Sequence, residues 1–381
     1  MHFDLNEDQQ AMRGEIIAFA RNELNEDMIA RDKEGRFSRD AWKKCAEFGV
    51  LGFPFPSEFG GSDGDIVTTT MMMEALGYGS KDAGLLFSIN AQMWSVMMPI
   101  LRFGNDEQKR RYLPALCNGD MVGAHGMSEP DSGSDAFNMR ATARKEGDNY
   151  VINGVKTWCT NAPVADTFIV FANTDKAGGF MGVTAFIIDI DTPGLRVSKE
   201  ISKMGLKTSP MGEVILEDCV VPLSARLGKE RQGAKIFNDS MEWERACILG
   251  SNLGAMQRQL EVCVQYANDR QQFRKPISQF QSVSNKIVDM KVRLETSRWL
   301  LYKVAWAKQN GQDATMDAAI AKLYLSEAWV QSCLDAIQIH GGYGYTTEYE
   351  LERDLRDAVG GKLYSGTSEI QRNIIARALG L

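Results

Sequence analysis

From residue 1 to about residue 120, apolar side chains recur at helical spacing. Asn6 and Gln9 have the types and separation of a capping box, and Met12, Ile16, Phe19 and Leu24 follow them. Pro54, Pro56 and the stretch Ser57 to Gly64 break the pattern into a loop, the largely apolar Ile66 to Leu76 resumes it, and a further helical run leads to Phe103-Gly104-Asn105. Between residues 121 and 230 the texture changes to short β-prone pieces. Tyr150-Val151-Ile152, an Asn153-Gly154 hairpin turn, Val155 to Trp158, Thr167 to Phe171 and Val183 to Ile190 predict a small β domain. From residue 231 to 381 helical periodicity returns, with Val283, Ile287, Met290, Leu294, Leu301 and Val304 near one stripe. The pattern therefore predicts an α+β chain with a helical domain at 1–120, a central β domain at 121–230 and a bundle of long antiparallel helices at 231–381.

Composition narrows the function classes. The chain has 381 residues, 44% of them hydrophobic and 24% charged, enough to bury one large core or two to three domains' worth. Its 43 Lys and Arg stand against 50 Asp and Glu, and a net charge of -7 argues against a nucleic-acid backbone as partner. The acidic start, Met-His-Phe-Asp-Leu-Asn-Glu-Asp, fits neither a secretory nor an arginine-rich transit segment, and no uninterrupted apolar run reaches the roughly 20 residues of a membrane span. A cytoplasmic location, with no membrane partner, is the expectation. Seven cysteines are scattered without a C-x-x-C pair or nearby histidines, which predicts reduced structural thiols and no metal site. Only His2, His125 and His340 are present, far apart in sequence, so most zinc and Ser-His-Asp arrangements fall away and a carboxylate is the expected base.

Gly60-Gly61-Ser62-Asp63-Gly64 matches G-x-S-x-G, but prolines and a glutamate precede it where a nucleophile elbow needs a strand, so it reads as a polar turn. Neither a dinucleotide fingerprint G-x-G-x-x-G nor a P-loop is present. Met127-Ser128-Glu129-Pro130-Asp131-Ser132-Gly133-Ser134-Asp135 offers hydroxyls and backbone N–H groups suited to a flat polar ring and a pyrophosphate, or to a capped turn. It gains meaning beside Lys156-Thr157-Trp158-Cys159-Thr160-Asn161-Ala162, Arg270-Gln271-Gln272-Phe273, Gln338-Ile339-His340-Gly341-Gly342, and Tyr364-Ser365-Gly366-Thr367-Ser368-Glu369-Ile370-Gln371.

These five motifs, in this order over nearly the whole chain, resemble the acyl-CoA dehydrogenase family. The resemblance implies an N-terminal helical domain, a central β domain, a C-terminal four-helix bundle, and non-covalent FAD between the last two. Carried over by position, Met127 and Ser128 would bond the flavin's polar edge, and Trp158 and Thr160 would cover the opposite edge and face. Gly133 and Ser134 would touch phosphate and pantetheine. Arg270, Gln272, Phe273, Gln281, Gln338 and Gly342 would hold pyrophosphate and adenosine, partly from a neighbouring subunit, with Thr367 and Glu369 completing the site. The resemblance also implies a homo-oligomer, usually a tetramer built as a dimer of dimers. His340 is expected to pack against the flavin, and His125 to support the Met127-Ser128 pair.

Most members of the family supply the base just before the Gly-Thr-Ser of the last motif, where this chain has Ser365. A minority, including the isovaleryl and long-chain enzymes, place a glutamate before an arginine on the first long helix of the C-terminal domain. Here Ser240-Met241-Glu242-Trp243-Glu244-Arg245-Ala246 puts Glu244 in that position, with Arg245 and Met241 expected to border the substrate. The rival reading is a surface carboxylate paired three or four residues along, and Glu242, two residues away, is expected to face elsewhere. The backbone N–H of Ser365 would help polarise the thioester carbonyl.

Within the family the stretches around Glu244, Gln279 to Asn285 and Tyr364 to Thr367 look closest to the L-prolyl-[peptidyl-carrier-protein] dehydrogenases and oxidases of natural-product pathways. That resemblance implies a small aminoacyl or hydroxyacyl thioester on a carrier protein, with an electron-transfer flavoprotein or O2 as acceptor. Two other readings stay open: a short- or branched-chain acyl-CoA dehydrogenase of catabolism, and a catalytically silent flavoprotein scaffold. Arg274 departs from the family's Gln-Phe-Gly-Lys-Pro and is expected to face solvent.

Overall fold

A computed structural model describes residues 5–381; His2 lies outside them. The first third is helical: α1 (Glu7–Glu23), α2 (Met28–Glu34), α3 (Arg39–Glu47), α4 (Ile66–Gly79), α5 (Ala83–Gln92), α6 (Met98–Phe103) and α7 (Asp106–Cys117). Asn6 and Gln9 form the expected reciprocal cap of α1, and Asn105 and Gln108 repeat it on α7. Gly60 to Gly64 is a turn with Gly60 in the left-handed region, and no strand leads into it. A π-helical segment, Met93–Met97, joins α5 and α6 into one rod. The rod Ala83–Phe103 has the length and apolarity of a membrane span, yet 83% of its most apolar window is buried inside the protein, which makes it a core helix.

The central strands are β1 (Gly123–Gly126), β2 (Thr142–Glu146), β3 (Asn149–Thr160), β4 (Thr167–Asn173), β5 (Val183–Asp189), β6 (Leu195–Val197), β7 (Met211–Pro222) and β8 (Arg226–Leu227). They form one sheet ordered β6-β7-β3-β2-β4-β5-β8, with β1 parallel to β4. β4 is buried throughout, and its alternation sorts side chains between two cores: Ile169 and Phe171 face the N-terminal helices, while Phe168, Val170 and Ala172 face the opposite layer. The expected hairpin at Asn153-Gly154 is not there. β3 runs straight through that point and only shifts register against β7, with Asn153 and Asp218 exchanging two hydrogen bonds. The real two-residue turn is Gly147-Asp148, where Glu146 pairs Asn149 and Gly147 supplies the positive φ.

The remainder is α8 (Gly233–Cys247), α9 (Gly250–Asp269), a two-stranded hairpin of β9 (Gln271–Gln272) and β10 (Lys275–Pro276), α10 (Gln281–Gln309), α11 (Thr315–His340), α12 (Leu351–Gly360) and α13 (Ser368–Ala378). Met290, Leu294, Leu301 and Val304 of the predicted stripe are buried in the bundle core against α9 and α11 or against the N-terminal helices. The helix α8 is the junction: Ile236, Trp243, Ala246 and Cys247 belong to the core of the N-terminal helices, while the helix also packs on α11. All seven cysteines are buried and free.

Candidate active site

Glu244 sits near the C-terminal end of α8 with 8% of its surface exposed. Both carboxylate oxygens are taken: the Ser365 hydroxyl donates to Oε1 and the Ser95 hydroxyl to Oε2. Burial pushes the carboxyl above its ordinary range, and the two hydroxyls, Arg245 and Lys322 oppose that rise. A carboxylate so raised is a better proton acceptor than a solvated one. Glu244 is therefore not a surface carboxylate paired along its own helix, and Glu242 turns away from it to pair with Lys308 of α10 at 2.7 Å.

Ser365 adopts φ 56°, in the left-handed region, and Gly366 follows at φ 87°. Three side chains hold this turn by its carbonyls. Arg245 Nε donates to Ser365 O at 3.1 Å, Gln371 Nε2 to Ser365 O and Gly366 O at 3.2 and 2.8 Å, and Lys322 Nζ to Gly366 O at 2.7 Å. The Ser365 N–H is left without a protein acceptor among the described residues. Lys322 is fully buried, and burial, with Arg245 beside it, brings its ammonium down to about 7. Trp243 is stacked on Trp94 at 6.0 Å with Lys308 Nζ 4.2 Å from its ring centre, so it locks α8 onto the N-terminal rod. Met241 is buried one turn before Glu244.

On the sheet, Met127 is buried and Ser128 half-buried just beyond β1. Thr157 N donates to Ser128 O at 2.9 Å, which stitches this segment to β3. Beneath it lies an ion pair invisible in the sequence pattern: Lys156 Nζ reaches Glu129 Oε1 at 2.7 Å and Met127 O at 3.2 Å, with both side chains at most 5% exposed. The second register shift of β3 against β7, between Lys156 and Cys159, throws Trp158 into the left-handed region at φ 59° and leaves it 60% exposed. A large indole on a bulge is a platform for a flat ring, and half-buried Thr160 follows it. Gly133 and Ser134 lie exposed immediately after a turn closed by Glu129 and Ser132. The two regions adjoin, because Phe237, two turns before Glu244, stacks on His125, two residues before Met127. His125 is half-buried, and the loss of water around its ring pushes the imidazole down to about 4, so it is a neutral packing residue.

A third cluster stands apart. Arg270, Gln272, Phe273, His340 and Gly342 line a groove of about 700 Å³. Phe273 is 88% exposed at the tip of the β9–β10 hairpin beside exposed Arg274, and His340 is stacked on Tyr266 at 4.0 Å with Nδ1 against Ala336 O. Gln281 and Gln338 are exposed on the first turn of α10 and the last of α11. His340 ends α11, eighteen residues beyond Lys322, so the groove lies about 27 Å from the Glu244 site at 1.5 Å per residue. Thr367 caps α13, with exposed Glu369 in its first turn and Ser368 Oγ buried without a partner. Ser95, Lys156, Glu129, Lys322 and Gln371 were not anticipated. Only the Ser-Glu-Pro, Lys-Thr-Trp and Ser-Glu-Ile-Gln runs held a signal for any of them.

The chain belongs to the acyl-CoA dehydrogenase family: the family models for its N-terminal, middle and C-terminal domains match residues 6–120, 124–219 and 231–380. It is 44% identical over 381 residues to an L-prolyl-[peptidyl-carrier protein] dehydrogenase of Serratia sp. (strain ATCC 39006), covering 100% of this chain and 99% of that one. Among solved structures it is similar to the prolyl acyl carrier protein oxidase AnaB, with a TM-score of 0.98 and 52% identity over 99% of this chain and 100% of AnaB. It is similar also to PigA, solved with FAD and proline, with a TM-score of 0.98 and 44% identity over the full length of both.

Proposed function

We propose that this protein is an FAD-dependent dehydrogenase of carrier-bound acyl thioesters, with L-prolyl as the acyl group and Glu244 as the base. The observation that carries the reading is the buried Glu244 gripped by Ser365, the residue that stands where most of the family supply their own carboxylate. Glu244 takes the proton from the carbon next to the thioester carbonyl. The free N–H of Ser365, aimed by the grip of Arg245 and Gln371 on its carbonyl, stabilises the oxyanion that forms there. Met241 and Arg245 border the acyl group.

The residues fit the cofactor. Met127, Ser128, Trp158 and Thr160 would frame the flavin ring, and the partnerless buried Ser368 Oγ beside Thr367 and Glu369 marks an unfilled polar demand at the start of α13. Gly133 and Ser134 would meet the phosphate or the pantetheine arm. When bound, FAD would supply the acceptor for the hydride that leaves the acyl group as Glu244 takes the proton. Arg270, Gln272, Phe273, Gln281, Gln338 and Gly342 stand too far from Glu244 to complete the same site, so they serve the cofactor of a neighbouring subunit in a homotetramer. The reading places the enzyme in the cytoplasm, where buried thiols stay reduced, with an electron-transfer flavoprotein or O2 as the acceptor.

The test is anaerobic loss of flavin absorbance on mixing with L-prolyl-carrier protein and, separately, with a panel of acyl-CoAs. Bleaching by the carrier-bound prolyl group alone is the expected result. Bleaching by acyl-CoA alone would move the enzyme to catabolism, and a Glu244→Gln variant reduced at the wild-type rate would remove the base.

A further inference from the structure

One of the two donors to Glu244 has no part in the reading above. Ser95 lies in the buried rod of the N-terminal helices, far from α8 in sequence, and the only hydrogen bond of its hydroxyl among the described residues goes to Glu244 Oε2. A hydroxyl buried in a helix ordinarily satisfies itself on the carbonyl one turn back. Thr69 and Thr70 on neighbouring α4 do this, bonding to Asp65 O and Ile66 O. Ser95 does not.

The backbone explains the difference. Met93–Met97 is π-helical, with Met98 N bonded to Met93 O five residues back, and among the described residues it is the only such turn. π turns carry an unfavourable local geometry and concentrate at functional sites. Here the widened turn is pinned by Trp94, whose Nε1 donates to Asn90 Oδ1 at 3.0 Å and whose ring stacks on Trp243 of α8. The residue that follows Trp94 is thereby presented to the carboxylate one position beyond Trp243.

We propose that Ser95 is a positioning residue for Glu244: donating from the N-terminal rod, it fixes Oε2 and leaves Oε1 turned toward the Ser365 turn, where the acyl group is received. The proposal rests on Glu244 as the base and assigns the N-terminal helices a part in its chemistry. A donor to the ionised form also keeps a buried carboxylate ready to accept a proton. The other groups facing Glu244 are Arg245 on its own helix, Lys322 on α11 and Tyr364 before Ser365, and none of them hydrogen-bonds to Oε2.

Two readouts on the FAD-loaded enzyme test this. The first is an infrared pH titration of the protonated carboxyl band assigned to Glu244 by its absence in Glu244→Gln. Ser95→Ala should move the midpoint to a pH about one to two higher, the weight of one hydrogen bond to a charged group. The second is flavin reduction by L-prolyl-carrier protein, which should slow about ten-fold at neutral pH in Ser95→Ala with little change in KM. Ser95→Thr, which keeps the hydroxyl, should restore both. If Ser95→Ala loses FAD, Ser95→Cys, similar in size and a weak donor, replaces it. A Ser95→Ala enzyme with the wild-type midpoint and rate would overturn the proposal. Wild-type reduction in Glu244→Gln would instead sink the base, while the infrared midpoint would still decide whether Ser95 governs the carboxyl.

Discussion

The hydroxyl of Ser365 touches the carboxylate of Glu244, 121 residues away in sequence. In the family pattern one of these two positions carries the base, and under the proposed reading Glu244 does so here with Ser365 as its hydrogen-bond donor. The exchange places a short polar side chain in a left-handed turn whose carbonyls are already held by Arg245, Gln371 and Lys322. Because Glu244 is raised by burial, proton abstraction should fail as pH falls at a value above the roughly 4.3 of a free glutamate. The acid limb of kcat/KM measured from pH 4.5 to 8 checks this, and an acid limb at the ordinary carboxylate value would contradict the burial argument.

The raised carboxyl also has a consequence for stability, of definite sign. A carboxyl whose pKa is raised on folding contributes stability that is present below its unfolded pKa and lost as pH rises through the folded value. At pH 7 to 8 the buried charge therefore costs the fold. Glu244→Gln should therefore be more stable than wild type in this range, because it removes a charge that burial disfavours. Denaturant titrations of both proteins with FAD bound would show the midpoint rise while activity is lost.

The helical parts were legible where a cap or an apolar stripe marks them. Asn6 with Gln9 and the stripe from Met290 to Val304 behave as their spacing requires. The strands were legible as strands but not as neighbours. Asn153-Gly154 has ideal turn chemistry, yet pairing with β7 over twelve residues outweighs a local preference, and Gly147-Asp148 takes the turn. The π turn at Ser95 has no sequence signature, since Met-Trp-Ser-Val-Met reads as ordinary apolar helix. Lys156 and Glu129 read as a strand lysine and a loop glutamate until the fold buries them together. Glu244 was singled out by resemblance alone, because its burial depends on three elements distant in sequence.

The Lys156–Glu129 pair supports the segment that would meet the flavin edge. Both partners are buried, and the remaining capacity of Glu129 is used by Arg140 N and Ala141 N at 2.5 and 3.0 Å. Removing one partner strands the other charge, so Lys156→Met should destabilise the protein by about 3–5 kcal/mol and lower its FAD content. The double variant Lys156→Met/Glu129→Gln, which removes both charges, should regain part of that loss. An additive double variant in thermal unfolding would show that the two do not act as a pair.

Lys322 lacks a carboxylate hydrogen-bond partner and is held at about 7 by burial and by Arg245. A free lysine titrates near 10.4, so between about pH 7 and 10 the unfolded chain binds the proton that the folded chain has released, and stability rises with pH over that window. The slope is about 1.4 kcal/mol per pH unit for one proton. Buried thiols act in the opposite direction at alkaline pH, so the informative quantity is the difference between wild type and Lys322→Met from pH 6 to 8.5. That difference should move in favour of wild type as pH rises. Since Lys322 also holds Gly366 O, the variant should reduce its flavin more slowly at every pH.

Trp158 separates cofactor binding from folding most cleanly. It is 60% exposed on a bulge whose φ of 59° disfavours any side chain, so the fold gains little from the indole. A wide exposed ring held at a strained position is what a stacking surface requires. Trp158→Ala should leave the cofactor-free protein within about 0.5 kcal/mol of wild type. It should weaken FAD binding about ten-fold, the order of one lost aromatic contact of roughly 1 kcal/mol. Trp158→Phe should fall between the two, because it keeps a stacking face of smaller area. Titration of the stripped proteins with FAD, read by flavin fluorescence, measures the affinities, and denaturation of the same preparations measures the folds. Equal FAD affinity in wild type and Trp158→Ala would move the flavin away from this face of the sheet. A large loss of stability in the cofactor-free variant would show that the indole is packed more deeply than its exposure indicates.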